Sequence, residues 1–91
     1  MTQVEGQSLI RDTCKELEEF LISKNKKYGN SALEPIRIFS KFGPVEQILV
    51  RIDDKVNRWI QGGQDDEDVE KDLLGYFLLL RAARKRAAPS T

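Results

Sequence analysis

The sequence predicts an all-α protein, a small antiparallel helical bundle, and three observations carry that expectation. Apolar residues recur at helical spacing in separate stretches. No stretch shows the sustained alternation of apolar and polar residues that marks a half-buried strand. Breaks carrying glycine or proline separate the stretches. With 91 residues the chain makes one domain, residues 1–91, whose ends at 1–6 and 87–91 are expected to be flexible. A chain of this length buries a modest share of its surface alone, so completion of the bundle by homo-oligomerisation is expected.

The first helical stretch spans about residues 7–24. Ile10, Cys14, Leu17 and Leu21 share one face, so Cys14 reads as a small core residue. Gly29 and Asn30 suit the break that follows. A short helical turn is expected at residues 35–39, with Ile36, Ile38 and Phe39 making apolar contacts. Gly43-Pro44-Val45-Glu46 is a helix start, with proline at the first position and an acid in the first turn, and this helix is expected to reach Ile60 and stop at Gly62-Gly63. The last stretch is expected to begin near Asp65-Asp66 and to run to about Arg86.

Composition excludes several chemistries. The chain has one cysteine and no histidine, which removes an internal disulfide, a multi-cysteine zinc site and histidine-dependent triads within one chain. Fifteen basic and fifteen acidic residues cancel, so no overall charge draws the chain to nucleic acid, and no nucleic-acid partner is expected. The N-terminus lacks the basic start and apolar run of a signal peptide, and the run of residues 73–80 is too short to span a bilayer. A cytoplasmic protein with no membrane partner is the expectation. Arg81, Arg84, Lys85 and Arg86 read as favourable helix-end charge.

At 100° per residue the third stretch separates into faces. Leu49, Ile52, Val56, Trp59 and Ile60 form an apolar arc. Arg51, Asp54 and Arg58 lie opposite with Lys55 beside them, and Asp53 and Asn57 fall on the shoulder of the arc. In the fourth stretch Val69, Leu73, Tyr76, Leu79, Leu80 and Ala83 form the densest apolar arc, and Asp72 projects inside it. A carboxylate there requires a cation, either a lysine or arginine from another helix or a metal ion. Asp68 lies one turn earlier and has an ordinary explanation as a helix-start acid. In the first stretch Glu16 and Glu19 stand one turn apart, close enough to share a hard cation such as Mg²⁺. Leu74 and Leu78 make the last helix apolar on its far side too, which suits a central or subunit-interface position.

Three segments together resemble a known family: Lys24-Asn25-Lys26-Lys27-Tyr28-Gly29-Asn30-Ser31, Arg51-Ile52-Asp53-Asp54-Lys55-Val56-Asn57-Arg58, and Glu67-Asp68-Val69-Glu70-Lys71-Asp72-Leu73-Leu74-Gly75-Tyr76. In order and spacing they resemble the nucleotide modification associated domain family, first type, of phages and bacteria. That family looks distantly related to the MazG-like all-α NTP pyrophosphatases. The resemblance covers about residues 10–83. It implies an E-x-x-E pair and a later E-x-x-D pair holding Mg²⁺ against a nucleoside triphosphate. Glu16 and Glu19 match the first pair and Asp72 the aspartate of the second. The glutamate expected three residues before Asp72 is Val69, which cannot bind metal, with Asp68 one position further back.

The function expected is therefore a nucleotide-binding helical module of phage type that binds or sequesters a phosphorylated, nucleotide-derived small molecule, such as an immune signal. Lys24, Lys27, Tyr28, Asn30, Arg51, Asp54, Lys55, Arg58 and Asp72 are its candidate binding residues. Tyr28 or Trp59 could stack on a base, although Trp59 lies in the apolar arc and reads as core. If Mg²⁺ is the cofactor, Glu16, Glu19, Asp53, Asp68 and Asp72 are its candidate ligands. The alternatives are a Mg²⁺-dependent pyrophosphatase and a self-association module without a ligand. Binding is preferred over catalysis because the second acidic pair is incomplete and no residue stands out as a general base.

Overall fold

A computed structural model describes residues 1–62 and 68–88, and the expected helix start at Asp65-Asp66 lies outside them, as do Gly63 and Glu67. The described residues form three helices, α1 (Gln3–Tyr28), α2 (Pro44–Ile60) and α3 (Val69–Ala87), and no strand. No described helix is long and apolar enough to cross a membrane.

Each helix start has a local cause. Thr2 caps α1 through a capping box: its hydroxyl accepts from the Glu5 amide at 3.1 Å, and the Glu5 carboxylate accepts from the Thr2 amide at 3.4 Å. This cap starts α1 four residues before the expected Gln7. At the other end the helix runs on to Tyr28 and stops at Gly29, whose φ of 74° is open to glycine without strain. Helix α2 has the expected bounds, with Gly43 as N-cap and Pro44 as its first residue. Asp68 is the N-cap of α3, accepting from the Lys71 amide at 2.9 Å.

Helices α2 and α3 form an antiparallel hairpin, with Lys55 opposite Asp72 at one end and Pro44 close to Ala83 and Ala87 at the other. Between them lies the core of Ile48, Ile52, Val69, Leu73, Leu80 and Ala83, flanked by Leu33, Val45, Leu49, Tyr76 and Leu79. The apolar arc expected for α3 is the one observed. Helix α1 buries no residue fully and rests on α3 alone among the described helices, through the half-buried Leu17, Phe20 and Leu21. Gly75 permits the approach, since a Cβ on it would stand 3.0 Å from Cδ2 of Leu21.

Several expectations are corrected. Residues 35–39 form no helical turn; the backbone turns earlier, where the Leu33 and Glu34 amides both donate to the Asn30 carbonyl. Ile36, Ile38 and Phe39 are exposed, Phe39 to 99%. An isolated turn without packing cannot meet the cost of nucleating a helix. Cys14 is free and exposed, because α1 extends past the end of its contact with α3. Trp59 and Ile60 are also exposed, because antiparallel pairing of Lys55 with Asp72 carries the last turn of α2 beyond the first turn of α3. The buried face of α2 centres on Ile48 and Ile52, which turns Lys55 inward and leaves Val56, Asp53 and Asn57 exposed.

Candidate functional site

The end of α1, the turn after it and the middle of α3 enclose a cleft of about 380 Å³. Its walls are Phe20, Leu21, Leu33, Tyr76 and Leu79, with the floor at Gly75. Polar groups gather on its rim: Lys24, Asn25 and Tyr28 from α1, Asn30 and Ser31 from the turn, Arg51 from α2 and Asp72 from α3. The turn is held in place by its own hydrogen bonds. The Asn25 side-chain amide donates to Oδ1 of Asn30 at 2.6 Å, and the Gly29 amide donates to the Asn25 carbonyl at 2.7 Å. Asn30 thus shapes the rim with both its side chain and its carbonyl.

Asp72 has the cation that its position requires. Nζ of Lys55 lies 3.2 Å from one carboxylate oxygen, and Nζ of Lys24 lies 3.9 Å from the other. The Lys55 and Asp72 side chains are only 14% and 19% exposed, so this pair is shielded from water on most sides. The Lys24 side chain is half-exposed and lies over the Phe20 ring, 4.7 Å from its centroid. Arg51 forms no ion pair among the described residues. Among the residues that line the cleft, Lys24 and Arg51 are cationic and Asp72 alone is acidic, so this rim favours an anion.

Five of the candidate binding residues, Lys24, Tyr28, Asn30, Arg51 and Asp72, therefore share one cleft, and Lys55 supports Asp72 from α2. Lys27 lies in a shallower neighbouring groove that also holds Glu16, Glu19 and Lys71 and shares Phe20, Lys24 and Tyr28 with the cleft. Asp54 and Arg58 pair at 3.4 Å on the exposed side of α2, outside both hollows. The five candidate metal ligands do not converge. Glu16 pairs with Lys71 at 3.9 Å, Asp72 is held by lysines, Asp68 caps α3, and Asp53 is exposed. No group of three or more such donors among the described residues is placed to hold a metal ion.

Phe20, Leu21, Asn25, Tyr76 and Gly75 belong to the cleft without having been singled out for it in the sequence. Asn25 stands in the Lys24–Ser31 motif, four residues before the glycine that breaks the helix, and that position was its signal. Tyr76 and Leu21 read only as core, because which part of a helix ends at a cleft depends on the crossing of α1 over α3. Compared with models of known protein families, with curated proteins and with solved structures, the chain matches none.

Proposed function

We propose that this chain binds a phosphorylated, nucleotide-derived small molecule in the cleft between α1, α3 and the turn at residues 29–33. One observation carries the reading: Lys24, Tyr28, Asn30, Arg51 and Asp72, from four separate segments, meet around one apolar hollow with a cationic rim. Its volume of about 380 Å³ lies within the ~300–1,000 Å³ usual for small-molecule sites. Lys24 and Arg51 supply charge for phosphate oxygens, Arg51 with a planar fork. Tyr28, Tyr76 and Phe20 supply aromatic surface for a base, and Asn25, Asn30 and Ser31 supply hydrogen-bonding groups for a sugar or base edge. The resemblance of the Lys24–Ser31 and Arg51–Arg58 segments to nucleotide-processing proteins points the same way.

Binding without turnover fits the acids better than hydrolysis does. Asp72 is already satisfied by two lysines, and a metal ion there would have to displace them. The test is a thermal-stability screen of the whole chain against nucleoside mono-, di- and triphosphates, cyclic dinucleotides and ADP-ribose derivatives, with and without Mg²⁺. A ligand at a hundred times its Kd stabilises the fold by about 2.7 kcal/mol, a readily measured shift. No shift with any of them overturns the proposal. Mg²⁺-dependent release of pyrophosphate that is lost in Asp72→Ala would replace it with the pyrophosphatase reading.

A further inference from the structure

We infer that a second copy of this chain covers the outer apolar face of α3 together with the overhanging half of α1. The area makes the first case. The chain exposes 7574 Å², whereas a folded monomer of its 10.4 kDa mass exposes about 5,400 Å². The excess, about 2,200 Å², exceeds the roughly 1,000 Å² or more per subunit that permanent homodimers bury. Its shape agrees: the radius of gyration is 15.4 Å, against about 12 Å for a compact chain of this length.

Part of the excess lies on α1 and α3. On α1, Ile10, Cys14, Leu17 and Leu21 share one stripe, yet only Leu17 and Leu21 are covered, by α3. The same stripe continues for two further turns, where Ile10 is 65% exposed and Cys14 is exposed. On α3, Leu74, Phe77 and Leu78 form a second apolar face, away from the core face of Leu73 and Leu80, and Phe77 is 50% exposed. Arg81 and Lys85 prolong that face toward the C-terminus, while the overhanging half of α1 carries Arg11 and Lys15 beside Asp12 and Glu16. Two exposed apolar surfaces in a chain of zero net charge fit a second copy. A two-fold axis then presents each surface of one copy to its complement on the other.

The test is the mass of the full chain in solution by sedimentation, across the concentrations at which ligand binding is measured. The expected result is twice 10.4 kDa, falling to 10.4 kDa in Phe77→Glu with helical circular dichroism retained. Ile10→Asp, on the exposed part of the α1 stripe, is the second variant and shifts the mass in the same direction. Cys14 then reacts with a thiol reagent roughly tenfold or more slowly in the wild type than in Phe77→Glu. A wild-type mass of 10.4 kDa overturns the inference, including the case in which the chain associates only with some other protein. A dimer that neither variant dissociates overturns it equally, since the contact then lies elsewhere.

Discussion

Asp72 sits on the core side of α3, where leucine would pack, and the two lysines facing it come from different helices. With Lys55 and Asp72 both less than one-fifth exposed, removing the acid takes a close counter-charge from a shielded lysine. Asp72→Ala is expected to lower the unfolding free energy by about 1–3 kcal/mol, the usual cost of losing a hydrogen-bonded charge partner. Lys55→Met combined with Asp72→Leu should recover most of that loss, because matched apolar groups need no counter-charge. Urea unfolding of the two variants checks it. Equal stability of Asp72→Ala and wild type would mean that water or other groups carry the lysine. Arg51 and Arg58 give a second contrast, since one lines the cleft and the other pairs with Asp54 outside it. With a ligand from the screen in hand, Arg51→Ala should weaken binding by about 1.5–3 kcal/mol, the range of a charged hydrogen bond. Arg58→Ala should leave affinity unchanged, as titration calorimetry would register.

At the scale of the element, the cleft depends on how α1 is seated. Gly75 lies where α1 meets α3, and any side chain placed there meets Leu21. Gly75→Leu is expected to destabilise by about 1–3 kcal/mol through overpacking, and to lose ligand binding because α1 forms one wall of the cleft. Exchanging the sizes, Leu21→Ala with Gly75→Leu, should restore much of the stability, and thermal melts of the single and double variants decide it. Asp68 belongs to the same scale. As an N-cap it should cost about 1 kcal/mol on Asp68→Ala and almost nothing on Asp68→Asn, because the amide oxygen still accepts from the Lys71 amide. A large loss in Asp68→Asn would point to a role for the negative charge itself.

What was legible in the sequence divides along the same line. The bounds of α2 are readable because Gly43-Pro44 and Gly62 act through backbone geometry, which needs no neighbour. The inward face of α3 is readable because its core residues are dense and regularly spaced. The need of Asp72 for a cation is readable as well, but not which cation answers it. Trp59, Cys14 and the inward turn of Lys55 are not readable, since each depends on where one helix ends against another. The cleft was half legible: its charged and aromatic rim lies in recurring motifs, whereas its walls exist only through the crossing at Gly75.

For the whole molecule, the overhang of α1 sets the last expectation. The first half of this 26-residue helix has a strong cap at Thr2 and almost no packing from its own chain. Local hydrogen bonds hold a helix of this kind only marginally in water, where nucleation is costly and each added residue gains little. In a lone chain the amides of residues 7–16 should therefore exchange with solvent orders of magnitude faster than those around Leu73 and Leu80 in the core. A second copy lying along Ile10 and Cys14 reverses this. Protection of residues 7–16 should rise with protein concentration, while protection of the α2–α3 hairpin should depend on it less. Phe77→Glu, placed on α3 and outside α1 altogether, should return those α1 amides to fast exchange without opening the hairpin. Hydrogen exchange read by mass spectrometry at two concentrations separates these cases. Fast exchange of residues 7–16 at every concentration would leave α1 a free arm, held to the molecule only by its seat on Gly75.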